Sequence, residues 1–308
     1  MKRPSLAALA LAFGLAGAVA LIAALAHPPV AHSAFPGRNG KIAFTEPVGV
    51  GPESVFTMRP DGSAKRQVAP RGHDPAFSPT GKKIAFERHG NIWTTAATGS
   101  HPKRLTRGPA RDSVPSFSPS GKRLVFVRFV PEKISTLYTI RADGSHARRL
   151  TDSRNMGLIG SYPNPQFSPN GRWIVFSSGC RILIIRARAS HPHSRPLTNG
   201  ECTGFREVTP DFSPNGNRIA YARISDDPLV GIWVMRLDGS DQTQITVGND
   251  RQPAFSPNGR RIAFSGKHRG DALGRAIYTM RTDGSGVTPH LTRGNGIADA
   301  PSWGVRPQ

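Results

Sequence analysis

Pro253-Ala254-Phe255-Ser256-Pro257-Asn258-Gly259-Arg260-Arg261-Ile262-Ala263-Phe264 is the stretch on which the fold turns. A Pro-Asn-Gly break separates two short runs rich in apolar and aromatic residues. The phrase Phe-Ser-Pro-x-Gly occurs five times, at Phe77, Phe117, Phe167, Phe212 and Phe255. Each copy runs into Gly, a Lys, Arg or Asn, and then Ile or Leu two residues before Phe or Tyr. A sixth copy of that second half stands alone at Gly40-Lys41-Ile42-Ala43-Phe44. The glycines at 40, 81, 121, 171, 216 and 259 are spaced by 41, 40, 50, 45 and 43 residues. A period in the forties marks a repeat architecture whose units bury apolar surface only against their neighbours.

The repeat reads as four strands. Pro165 to Ser168 is extended, and Pro169-Asn170-Gly171 turns the chain. The turn is either a two-residue hairpin loop with positive φ at Asn170 and Gly171, or a Pro-led turn with only Gly171 left-handed. Arg172 to Phe176 is aromatic and β-branched, hence a second strand. One repeat later, Gly231 to Arg236 reads as a third strand. Asp238-Gly239-Ser240 is a second tight turn, and Gln242 to Thr246 reads as a fourth strand. The second turn recurs at Asp61, Asp143 and Asp283, and more weakly at Thr98. A Leu-Thr or Ile-Thr ending recurs at Leu105, Leu150, Leu197, Ile245 and Leu291. Four strands in 40–45 residues make one propeller blade.

The fragments at the ends predict how the ring closes. The first blade starts at its second strand, about 41–45. An orphan first strand stands at 300–304, with Trp303 in the place of the repeated Phe. Pairing the two satisfies both exposed edges. The expected fold is therefore all-β, a six-bladed propeller of four-stranded antiparallel blades over residues 35–308.

These residues resemble the TolB-type, WD-repeat-like β-propeller family. The pattern stands nearly intact from Pro253 to Phe264, with Ile277-Tyr278-Thr279-Met280 and Leu291-Thr292 completing the repeat. The resemblance implies protein interaction through a propeller. It covers the propeller only, since the signal region runs straight into the first blade where TolB carries an extra N-terminal α/β domain.

Lys2 and Arg3 precede an apolar stretch from Leu6 to Ala26, followed by Ala31, Ser33 and Ala34. This is the pattern of a Sec-type signal peptide over residues 1–34, with an uncleaved anchor as its rival. The expected location is periplasmic or extracellular, membrane-anchored if the segment is retained. Cys180 and Cys202 are the only cysteines. Cys180 follows the second strand of its blade and Cys202 the fourth. Loops after those strands emerge on one face, so a disulfide is expected in an exported chain.

Formal charge is +21, and +19 without Lys2 and Arg3. Lys82, Lys83, Lys122, Arg123, Arg172, Arg218, Arg260 and Arg261 follow first turns. Arg59, Arg141, Arg236 and Arg281 precede second turns. Both turns share one face, which predicts a basic ring suited to an anionic envelope polymer or an acidic protein or peptide. The plainer reading is a set of solvated charges repeated with the turns. Nucleic acid is not favoured, because no aromatics interleave the cations as a stacking platform requires.

Asp74, Asp112, Glu207, Asp250 and Asp299 stand shortly before the repeated Pro. They are candidates for a cation or ligand site at the channel mouth, Ca²⁺ being the cation that suits oxygen donors. The structural alternative is that each carboxylate accepts hydrogen bonds from its own loop. His191 and His193 form an H-x-H pair, read as plain surface histidines rather than metal ligands. No Gly-x-Ser-x-Gly, His-Glu-x-x-His or phosphate loop occurs, and no catalytic set can be assembled. The expectation is a non-enzymatic binding or scaffold protein with no resident cofactor or metal. The alternative is a polysaccharide-acting lyase or hydrolase with its site at the channel mouth.

Overall fold

The computed structural model describes residues 35–129, 135–151, 163–188, 193–199, 204–225, 230–267, 274–292 and 297–308. Residues 1–34, expected from sequence to be a signal peptide, lie outside them, as do His191, Cys202 and Asp226-Asp227-Pro228, which reads in sequence as a turn. The described residues contain strands and no helix.

Six antiparallel sheets follow one another along the chain. The first holds β1 (Asn39–Pro47), β2 (Glu53–Met58) and β3 (Arg66–Ala69). Blade two is β4 (His73–Phe77), β5 (Lys83–Arg88), β6 (Asn91–Ala96) and β7 (Lys103–Arg104). Blade three is β8 (Arg111–Phe117), β9 (Arg123–Phe129), β10 (Thr136–Arg141) and β11 (Arg148–Arg149). Blade four is β12 (Gln166–Phe167), β13 (Trp173–Ser178), β14 (Arg181–Arg186) and β15 (Arg195–Pro196). Blade five is β16 (Arg206–Phe212), β17 (Arg218–Ile224), β18 (Gly231–Arg236) and β19 (Thr243–Gln244). Blade six is β20 (Arg251–Phe255), β21 (Arg261–Gly266) and β22 (Ala276–Arg281). The last strand, β23 (Asp299–Val305), completes blade one by pairing with β1, Ile42 opposite Trp303 and Ala43 opposite Ser302. The terminal closure read from the orphan strand is therefore present.

Blade six departs from the expected four strands. Among the described residues its sheet holds three strands, and none is formed at Leu291. Hydrogen bonds from Thr288 N to Thr279 O and from Leu291 N to Ile277 O hold that edge instead.

The repeated phrase can now be read atom by atom. The Ser carbonyl accepts from the Gly N–H three residues on, at 2.8 Å in all five copies. The Ser hydroxyl accepts from the N–H five residues on, as in Trp173 N to Ser168 Oγ at 2.9 Å. Gly171 has φ of 65° and Asn170 is not left-handed, so the turn is the Pro-led one. An added Cβ at Gly216 would lie 3.0 Å from Pro169 of the preceding blade, so the turns also pack sideways around the ring. The Leu-Thr ending has a comparable job. Its Thr hydroxyl accepts from the third strand, as in Ile92 N to Thr106 Oγ1 at 2.9 Å.

The core lies between blades rather than within them. Val125, Val127 and Leu137 of blade three pack on Phe167, Ile174 and Phe176 of blade four, all buried. Among the inner strands β23 touches β4, and contacts run on through β8, β12, β16 and β20 back to β23. The ring surrounds a central channel.

Candidate functional site in the channel and its rim

The channel is lined by the inner strands and by Phe35, and encloses a cavity of about 110 Å³. Each inner strand brings one residue into it immediately before its Pro: Asp74, Val114, Asn164, Thr209, Gln252 and Ala300. All six have positive φ, from 34° to 54°. Such a conformation is unfavourable for non-glycine residues, and most of all for the β-branched Val114 and Thr209. Ladder register shifts fall at this place in β4, β8, β16 and β20. Pro cannot donate to the ladder, and the bulge absorbs the missing bond.

Where the residue after the Pro is polar, its side chain latches neighbouring inner strands together, as Ser116 Oγ does by donating to Gln166 Oε1 at 2.7 Å. Ser302 Oγ accepts from Phe77 N at 3.1 Å, and Asp211 Oδ2 accepts from Phe255 N at 2.8 Å. Asp211 shows some surface, but only onto the narrow channel. Burial pushes its carboxyl up from 3.8 to about 7, against the N–H groups of Phe255 and Phe212 that favour the charge. An acid whose folded value is raised holds its proton more tightly when folded. The stability this contributes is full below about pH 4 and lost as pH rises through about 7. At about 1.4 kcal/mol per pH unit the loss is about 4 kcal/mol at most. Asp211→Asn keeps an acceptor for Phe255 and cannot ionise. It should therefore gain on the wild type steadily from pH 4 to 8 in denaturant titrations. Parallel pH profiles for the two proteins would refute this account of Asp211.

The five acidic candidates do not form one group. Only Asp74 lines the cavity. Asp112 is buried and receives both Arg128 Nε and an Arg128 terminal nitrogen, at 2.7 and 2.8 Å. Glu207 is buried against Arg223 at 2.8 Å. Both arginines lie over rings, Arg128 4.5 Å from the Tyr138 centroid and Arg223 4.0 Å from that of Trp233. Asp250 is buried over Gly266, where a Cβ would meet its Oδ1 at 2.3 Å. Asp299 accepts from the Ser265 hydroxyl.

Sequence reading missed His73 and Glu87. They are cross-strand partners on β4 and β5, and His73 Nε2 contacts the Glu87 carboxylate. His73 Nδ1 lies 3.3 Å from Asp74 Oδ2. Burial works against charging His73, but Asp74 and the charges of Glu87 and Glu53 outweigh it and hold the imidazole above its ordinary range. Burial pushes Glu87 up, opposed by His73, the Gly90 N–H and Arg111. The pair thus holds its proton tightly. These residues open onto a hollow lined also by Glu53, Arg71, His89 and Arg111. The available signal was departure from the repeat, since Ser113 and Val127 occupy the matching places one blade on.

On the other face, Lys82, Lys83, Lys122 and Arg123 converge on a groove between blades two and three. The remaining basic candidates lie apart from it. Arg236 pairs with Asp241 at 2.5 Å, Arg261 donates to Thr279 Oγ1 at 3.0 Å, and Arg260 and Arg281 are exposed. Cys180 is disulfide-bonded, and Cys202 is the only other cysteine in the sequence. His193 is exposed.

A family model, the TolB beta propeller domain, matches residues 40–249. TolB from Acinetobacter baumannii superposes with a TM-score of 0.71 at 21% identity, over 88% of this chain and 68% of that one. A protein assigned as TolB in Agrobacterium tumefaciens gives 0.65 at 21% identity, over 84% and 97%. An oligogalacturonate lyase in complex with manganese gives 0.57 at 11% identity, over 83% and 76%. With its repeats, its ring closure and this match over most of its length, the chain belongs to the TolB β-propeller domain family.

Proposed function

We propose that this chain is an exported binding module that performs no reaction and holds an acidic protein, peptide or envelope polymer on its basic face. The observation that carries this reading is the gathering of six cations around one groove. Lys82, Lys83, Lys103, Lys122, Arg123 and Arg141 surround one groove of about 930 Å³, with Asp143 as the one carboxylate lining it. The groove between blades five and six, about 560 Å³, is lined by Arg218 alone among charged side chains. The repeat-matched cations of blades five and six do not gather in this way, and Arg236 there is paired with Asp241. A cationic groove raises the local concentration of an anionic partner and speeds its capture. Export is supported by the N-terminal pattern and by the bonded Cys180, which suits an oxidising compartment. The family likeness supports a protein partner.

The test is binding of polyglutamate at low and moderate salt. Reversing Lys82, Lys83 and Lys122 to Glu should weaken it by roughly tenfold or more, about 1.4 kcal/mol, and flatten its salt dependence. Reversing Arg236, Arg260 and Arg281 changes net charge equally and should cost much less. Equal losses in the two variants would reduce the effect to overall charge.

A second reading, a lyase or hydrolase acting on an acidic polysaccharide at the channel mouth, draws on one observation. His73 Nε2 contacts the Glu87 carboxylate beside Arg71 and Arg111. That is an acid–base pair next to cations that suit a carboxylated sugar. Turnover of oligogalacturonate that disappears in His73→Ala would favour it over the first reading.

A further inference from the structure

We propose that His73, Asp74 and Glu87 form a site for a divalent transition-metal cation, with Zn²⁺ the ion their donors suit best. The site is on the face opposite the lysine groove and does not depend on the binding reading.

The first ground is juxtaposition. One donor atom from each of the three residues lies within 4.8 Å of the other two. Zinc binds imidazole nitrogen and carboxylate oxygen at about 2.0–2.2 Å. Nε2 of His73 faces Glu87 and Nδ1 faces Asp74, so one ion is reached by turning the Asp74 carboxylate and the imidazole toward a shared point. One nitrogen and two oxygens select a borderline cation over Ca²⁺, which takes six to eight oxygens. Three protein ligands also leave a position for water or a ligand, as in open zinc sites.

The second ground is support around the donors. His73 and Glu87 sit opposite each other on hydrogen-bonded strands, so their backbones are fixed. Gly90 N donates to Glu87 Oε1 at 2.6 Å, which orients the carboxylate toward His73. Asp74 is held with φ of 52°, and its N–H donates to Thr45 Oγ1 at 3.2 Å. Such outer hydrogen bonds are what fixes ligands in metal sites. Glu87 is 1% exposed, a burial that calls for positive charge beside it. Arg111 approaches no closer than 4.0 Å. The hollow above, about 670 Å³ and lined by Glu53 and His89, leads in from solvent.

The third ground is singularity. The matching triplets in the other blades are Ser113-Val114-Val127, Pro163-Asn164-Ser177, Val208-Thr209-Ala222, Arg251-Gln252-Ser265 and Asp299-Ala300-Thr45. None carries three metal donors. A triplet that serves the blade would recur with the blade.

The competing arrangement is an imidazolium clamped between two carboxylates, which needs no metal. Equilibrium titration of the chelator-treated protein with Zn²⁺ at neutral pH separates the two. We expect one Zn²⁺ per chain at about micromolar affinity or tighter, and a higher unfolding temperature with the metal present. His73→Ala should remove stoichiometric binding, and His193→Ala should leave it unchanged. Loss of an outer partner costs 10–100-fold in such sites, so the ligand change Asp74→Asn should cost about 100-fold or more. Asp74 is half-buried, so this variant decides the matter even if His73→Ala fails to fold. The proposal is overturned by absence of stoichiometric binding in the wild type. Zn²⁺ affinity unchanged in Asp74→Asn, or Ca²⁺ binding as tight as Zn²⁺, would overturn it equally.

Discussion

Trp303→Ala is expected to lower the unfolding free energy by about 3–5 kcal/mol, the range for deleting a large buried aromatic side chain. Trp303 is 4% exposed and packs with Ile42, Phe44, Met58, Ala263 and Ile277. It draws together blade six and both parts of blade one. Its strand is joined to the rest of its blade only through pairing with β1. Weakening that contact frees the edges of β1 and β4 together, in a ring whose blades have no stability apart. Trp303→Phe should be far milder, at under about 1.5 kcal/mol. It restores the residue found in the other five copies, and the buried indole N–H has no hydrogen-bond partner to lose. Denaturant titration of the two variants beside the wild type checks both values. A loss below about 1.5 kcal/mol in Trp303→Ala would mean that the ring is not held shut at this point.

The closure was legible because it depends on order along the chain, which the repeat exposes directly. The phrase around Phe255 states a strand, a Pro-led turn and a second strand, and its Ser and Gly proved to have local jobs. Ser168 and Gly171 make their bonds within a few residues of themselves, and such information survives in one sequence. The acidic residues show the limit. Asp74, Asp112 and Asp299 all stand shortly before a Pro, yet they occupy three different places. Asp112 is three residues before Pro115 and turns into its blade. Asp74 is one residue before Pro75 and faces the channel. A bulge between them shifts the face on which each side chain emerges, and proximity in sequence hides that shift. His73 and Glu87 were invisible for a related reason. They meet through cross-strand register 14 residues apart, and register is not written in either residue. The left-handed ring of Val114, Thr209 and their counterparts follows from the same bulge.

Arg128→Ala should cost about 3–5 kcal/mol, because it leaves the Asp112 carboxylate buried without its counter-charge. Asp112 is 1% exposed, and the guanidinium meets both of its oxygens. The Asp112 hydrogen bond also raises the Arg128 pKa, so the guanidinium holds its charge firmly. The loss belongs to the pair rather than to the arginine. Removing both partners together should therefore cost much less than the sum of the single changes, with a coupling of about 2–3 kcal/mol in a double-mutant cycle. Blade two supplies an internal control. Arg88 stands at the position of Arg128 and lies 4.0 Å from the Trp93 ring centroid. Gly72 stands where the acid would be. Arg88→Ala forfeits stacking without stranding an acid at that place, so about 1 kcal/mol is expected. Equal losses for Arg88→Ala and Arg128→Ala would show that ring stacking, and not the buried acid, accounts for the arginine. In that case the acidic residues of the blades would again be free to be read as ligands.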